Sequence, residues 1–237
     1  MPFHDDGDVR IRYEVAGDGY PILLIAPGGM RSEGAIWDRM AWNPKELPGY
    51  QVIAMDQRNA GQSSGPVSAA DGWDTYLGDQ LGLLDHLGVE ACHVIGMCIG
   101  GPYIAGLLKA APERFASAVI LQPVGIDENR HALEEMFDSW AADIADRHPH
   151  MSEQDWVSFR TNMWGGEFLL TASVDDLADI DTPMLVLMGD DLYHPESTSR
   201  QLVSAAPDAR LVENWKDGDA LAAADQAIRT FLDEHTP

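Results

Sequence analysis

The chain is poor in lysine. Lys45, Lys109 and Lys216 are its only three, and 39 acidic residues against 15 basic ones leave a net charge of −24 over 237 residues. A surface of that sign repels phosphate backbones and anionic lipid, which sets aside nucleic acid and membranes as partners. It reads either as plain solubility or as adaptation to high salt, where counterions screen the self-repulsion. Cysteine is scarcer still. Cys92 and Cys98 fall on one strand and its turn, an arrangement unsuited to a disulfide, and two thiols alone make no metal site. Apolar runs such as 21–26 are far shorter than the roughly 20 residues that span a bilayer. The acidic start, Met1-Pro2-Phe3-His4-Asp5-Asp6, has no apolar signal region, so a reducing cytoplasm is expected. There is no phosphate loop of the Gly-x-x-x-x-Gly-Lys type and no zinc spacing, so neither cofactor nor metal is expected. Repeats, low-complexity tracts and interdomain linkers are also missing.

What remains is ordinary globular material, 45% hydrophobic, arranged periodically. Val9, Ile11, Tyr13 and Val15 alternate with polar residues as a half-buried strand. Residues 21–26 are apolar throughout, as a strand covered on both faces would be. Further strands are expected at 51–55, 92–96, 116–122, 184–188 and 209–213. Helices are expected from Trp73 to Leu87, at about 99–111, at 196–205 and at about 220–234. Strands alternating with helices predict one α/β domain with a mostly parallel sheet covered on both faces. Residues 126–172 break the alternation. They are rich in tryptophan and read as a small inserted lid.

Within this order stands "VIGMCIGG", residues 94–101. Gly-x-Cys-x-Gly between a strand and a helix is a turn too tight for bulky flanking side chains. It lifts the central residue above the sheet and leaves the next backbone N–H free to stabilise an oxyanion. The helix N-terminus favours thiolate over thiol. Four stretches in order, "LLIAPGG", "DQRNAGQS", "GMCIGG" and "MLVLMGDDLYHP", resemble the α/β-hydrolase superfamily over nearly the whole chain. The resemblance is nearest to a cysteine-elbow branch, and cysteine at this position is familiar from dienelactone hydrolases. It implies an eight-stranded-type sheet with a small helical lid. It also implies a Cys98 nucleophile, and an oxyanion hole from the N–H of Ile99 with an N–H of the loop 28–30, assigned to Gly29 and Met30. Asp56, Arg58, Gly61 and Ser63 match the family's Asp-x-Arg-x-x-Gly-x-Ser turn, which assigns Asp56 to holding its own turn.

Two departures matter. The oxyanion loop reads Pro27-Gly28 where the family often has His-Gly. The loop 214–219, where the superfamily places its histidine, contains none. Sorting the other histidines by the sheet edge they reach sets aside His4, His86, His93 and His235, because catalytic groups collect at the C-terminal ends of parallel strands. His194, six residues past the strand 184–188, is the candidate base; His131, His148 and His150 in the lid are the alternatives. A thiol tolerates a displaced base better than a hydroxyl, because its pKa already lies near 8.5. Asp191 is the candidate acid, with Asp190 and Asp217 as alternates.

Trp164, Trp37 and Met97 are the candidate substrate-binding residues, although tryptophan in such positions equally fills a core. An apolar lid suits a small-molecule substrate with an apolar or aromatic acyl group. The expected activity is hydrolysis of a carboxylic ester, thioester or lactone. A non-catalytic ligand binder that has lost its base, an acyltransferase, and a cofactor-free lyase or dioxygenase stay open as alternatives, since fold alone does not choose. A homodimer stays open as the assembly.

Overall fold

The computed structural model describes residues 2–237. One eight-stranded sheet runs β1-β2-β4-β3-β5-β6-β7-β8, with β1 (Phe3–Asp6), β2 (Val9–Ala16), β3 (Tyr20–Ile25), β4 (Tyr50–Met55), β5 (Cys92–Cys98), β6 (Phe115–Pro123), β7 (Met184–Leu187) and β8 (Ala209–Val212). Only the β1–β2 and β2–β4 pairings are antiparallel; every other pairing is parallel. The first strand was not expected. Phe3–Asp6 reads as an acidic tail, yet an edge strand needs pairing on one side only, and Phe3 gains the Arg10 guanidinium 4.2 Å above its ring.

The central strands are buried on both faces because their side chains alternate between two apolar layers. Leu23, Ile25, Val94, Ile120 and Val186 join a core shared with α1 (Trp73–His86), α2 (Gly100–Ala110) and α6 (Glu196–Ala205). Ile22, Leu24, Ile95, Met97, Val119 and Leu187 join a second core with Trp37 and the apolar face of α7 (Gly218–His235). Residues 126–172 contain α3 (Arg130–Ile144) and α4 (Glu153–Trp164); α5 (Val174–Ala178) follows. Phe137, Trp140, Phe159 and Trp164 bury these helices on the first core. No helix among the described residues is long and apolar enough to cross a membrane.

Candidate active site

The elbow closes the end of β5. Cys98 has φ 62°, a left-handed backbone that a side chain adopts only when the surroundings enforce it. The enforcement is close packing. A Cβ on Gly96 would lie 3.0 Å from Gly100 Cα, one on Gly100 would lie 3.2 Å from the Ile25 carbonyl, and one on Gly101 would lie 2.9 Å from Pro123 Cα. The Val124 N–H donates to the Cys98 carbonyl at 3.0 Å, fixing the turn to the end of β6.

The loop after β7 supplies the next groups as one compact unit. Asp191 Oδ1 accepts the N–H of Tyr193 at 2.9 Å and that of His194 at 3.1 Å, while Oδ2 lies 2.9 Å from His194 Nδ1. A carboxylate only accepts, so Nδ1 carries the proton; Nε2 makes no hydrogen bond within the protein and is left as the acceptor for the neighbouring Cys98 thiol. Asn129 holds the loop from outside. Its Nδ2 donates to the carbonyls of Gly125 (3.0 Å) and Leu192 (2.7 Å). Ser199 Oγ accepts the Gly189 N–H at 3.2 Å.

The electrostatics follow from these contacts. Burial alone would push the Cys98 thiol up, but the His194 imidazole and the backbone N–H groups of Gly28 and Ile99 hold it below its ordinary value. Burial would likewise lower His194; the Cys98 sulfur and the Asp191 carboxylate reverse this and raise it. Asp191 is lowered, its burial outweighed by His194 and the N–H groups of Tyr193 and His194. Each shift favours a thiolate–imidazolium–carboxylate relay.

Of the sequence candidates, Cys98, His194, Asp191 and Ile99 come together. In the loop 28–30, where Gly29 and Met30 are the expected oxyanion donors, it is the N–H of Gly28 that reaches the resting Cys98 sulfur, beside that of Ile99. Gly28 and Gly29 have φ 119° and 59°, so two consecutive left-handed residues turn the earlier amide inward, and a Cβ on Gly29 would collide with Met136. Such a rotation is not legible in the letters, although paired glycines signal it. Asn129 and Ser199, which brace the base loop, carried no recognisable pattern.

Trp164 does not line a cavity. It has no accessible surface and packs edge-on against Trp73, with ring centroids 5.6 Å apart. Trp37 and Met97 lie together beside a cavity on the opposite face of the sheet. The alternates fall elsewhere. Asp190 pairs with Lys216, and Asp217 caps the start of α7 without a side-chain bond. His131 is exposed on α3, His148 packs toward the Trp156 ring, and His150 donates to the Val67 carbonyl at 2.8 Å. Asp56 holds its own turn, accepting the N–H groups of Gly34 and Gln62 at 2.9 Å each. Two larger hollows, of about 760 and 750 Å³, are lined by residues such as Lys109 and Asn162, or Arg130 and Asp176, and by no residue of the elbow, base loop or oxyanion loop. They lie away from the chemistry.

A strained nucleophile elbow at the C-terminal edge of a mostly parallel sheet, with an acid–base loop beside it, defines an α/β-hydrolase-type enzyme. The family model described as alpha/beta hydrolase fold matches residues 21–172, and the chain belongs to that family. Carboxylesterase YbfK of Bacillus subtilis is 24% identical over 219 residues, 82% of this chain and 73% of its own. The dihydrolipoyllysine-residue acetyltransferase component of the acetoin cleaving system of Cupriavidus necator is 33% identical over 127 residues, 53% of this chain. The match spans only 33% of that component's length. Among solved structures, the enol-lactonase of Burkholderia xenovorans superposes with a TM-score of 0.68 at 18% identity over 99% of both chains, a likeness of fold.

Proposed function

We propose that the protein hydrolyses a carboxylic ester, thioester or lactone with an apolar or aromatic acyl group, using Cys98 as nucleophile. The Cys98 thiolate adds to the carbonyl carbon and the π electrons move to oxygen, where the N–H groups of Ile99 and Gly28 stabilise the charge. Collapse of this intermediate breaks the bond to the leaving group. His194 Nε2, holding the thiol proton, delivers it to the departing oxygen or sulfur. His194 then accepts a proton from water as the water attacks the thioester, and the second collapse frees the acid and restores the thiolate. Asp191 keeps Nδ1 protonated and Nε2 directed at the sulfur throughout. Residues 126–172 act as the lid, and Arg31 links it to the oxyanion loop by donating through Nε to Asp143 at 3.0 Å.

The observation that carries this reading is geometric: Cys98, strained at φ 62° on the elbow, stands beside His194, whose Nδ1 is held 2.9 Å from Asp191 Oδ2 and whose Nε2 has no other partner. The direction of the shifts agrees, the half-buried Cys98 thiol being lowered where the buried Cys92 is raised. The test is mass spectrometry after brief incubation with activated esters and thioesters. An acyl adduct on Cys98 that decays with product release is expected. Turnover undiminished in Cys98→Ala would overturn the assignment.

A further inference from the structure

On the α7 face of the sheet, a cavity of about 190 Å³ opens beside the nucleophile strand. Trp42 and Trp215 form its accessible aromatic walls with Trp37 packed behind them, Met97 also lines it, and Gln122 and Lys216 are its polar groups. It adjoins the elbow: Met97 precedes the nucleophile, and the Cys98 side chain, at the edge between the two cores, packs against both apolar clusters, including the one that contains Trp37, Met97 and Trp215. Because the base comes from the β7 loop, the loop after β8 is free to contribute Trp215 and Lys216 here. Lys216 also pairs with Asp190, so the rim of the cavity is joined to the loop that carries Asp191 and His194.

Gln122 is the singular member. It has φ 37° at the end of β6, a left-handed backbone that costs free energy in a residue with a side chain. Leu121 pairs with Met97 and Pro123 with Cys98, so the register shift leaves Gln122 facing the elbow as an extra residue. Its side-chain amide has no hydrogen-bond partner among the described residues. The second strained residue of the sheet edge therefore offers a free amide to an aromatic-walled space next to the first.

We infer that this cavity receives the body of the substrate's acyl group and that the Gln122 amide binds a hydroxyl or carbonyl on it; the inference rests on the hydrolase reading above. Size limits the occupant. An apolar protein cavity of about 150 Å³ holds one benzene ring, so the space fits a single ring or a short branched chain and rejects fused rings.

The test separates binding from turnover. In Cys98→Ala, titration by ¹⁹F NMR with 4-fluorotoluene and 4-fluorobenzyl alcohol should give saturable binding of both. The alcohol should bind about tenfold tighter, the worth of one hydrogen bond. Gln122→Leu should remove that difference and leave 4-fluorotoluene unchanged. Leu221→Trp, which fills the cavity from the half-buried start of α7, should weaken both at least about tenfold; Met40→Ala, which enlarges it, should admit naphthalene. Probes that fail to saturate, or that bind Leu221→Trp as before, overturn the site. With Cys98 intact, esters turned over with an acyl preference indifferent to Leu221→Trp overturn its role while hydrolysis stands. Probe binding as expected with no ester cleaved supports the site and removes the hydrolase reading instead.

Discussion

Cys92 and Cys98 bear the same thiol at the two ends of one strand, and their surroundings set them far apart. Cys92 is fully buried among apolar neighbours and its thiol is pushed up to about 12; Cys98 retains accessible surface and is held below its ordinary value by His194. At neutral pH the thiolate is therefore far more populated at Cys98, so iodoacetamide should alkylate Cys98 long before Cys92, as peptide mass mapping would record. Comparable labelling of the two in folded protein would contradict the elbow. Labelling of Cys98 should rise with pH at a lower midpoint than an ordinary thiol. In His194→Ala the burial penalty remains and the imidazole does not, so the midpoint must move up. The same variant should lose turnover by roughly 10²–10⁴-fold, the range for a removed general base, with the far-ultraviolet spectrum unchanged. Asp191→Asn should shift the midpoint in the same direction and less far. The place of His194 beside Cys98 was legible because strand order leaves few histidines at the C-terminal edge. That the Gly28 N–H reaches the sulfur was not, because which of three consecutive amides turns inward depends on two dihedral angles.

At the scale of elements, function depends on how closely α2 approaches the sheet. Gly101 sits where a Cβ would meet Pro123 Cβ at 2.5 Å, and backbone cannot yield as a flexible side chain can. Gly101→Ala should therefore displace the start of α2, and with it the Ile99 N–H. A loss of about 1–3 kcal/mol in urea unfolding is expected, with a fall in kcat larger than any rise in KM. Unchanged stability would mean that the helix has room the packing does not show. The strands and helices flanking this contact were legible to within a few residues, since period two and period 3.6 leave direct traces. Trp164 shows the limit of that legibility. Composition marks a tryptophan beside two glycines as special, but only tertiary packing decides that it meets Trp73 rather than a ligand.

Over the whole molecule two long-range effects bear on stability. The first is local in origin. His93 is fully buried, lies between the rings of Tyr20 and Tyr50, and reaches Ser117 Oγ at 2.8 Å and Thr236 Oγ1 at 3.0 Å, tying the sheet to the end of α7. Burial, with His235 nearby, lowers its pKa to about 4, against an opposing pull from Asp233. The unfolded chain then binds a proton that the folded chain refuses. This stability is complete above the unfolded value near 6.5 and is lost as the pH falls toward 4, by about 3 kcal/mol at most. His93→Gln should flatten the dependence of unfolding free energy on pH across that window. An unaltered slope would assign it to other groups.

The second effect is the charge itself. Exposed pairs such as Arg200–Glu213 and Arg210–Glu234 contribute little, and salt weakens them. Against them stands the mutual repulsion of a surface with a net charge of −24, which salt also weakens. With 39 acidic side chains and 15 basic ones, most charge pairs on the surface are of like sign, so the repulsive sum dominates. Between about 0.1 and 1 M NaCl the screening length falls from roughly 10 to 3 Å, shorter than most carboxylate separations but not than the contact ion pairs. Screening therefore removes more repulsion than attraction, and the melting temperature should rise over this range. The comparison that isolates charge is a variant with several exposed aspartates outside helix first turns and ion pairs, such as Asp8, Asp18 and Asp208, changed to asparagine. Its melting temperature should be higher than the parent's at low salt and should respond less to added NaCl. A parent that melts at the same temperature throughout, or a variant with an undiminished salt response, would show that the acidic surface does not govern the stability of the fold.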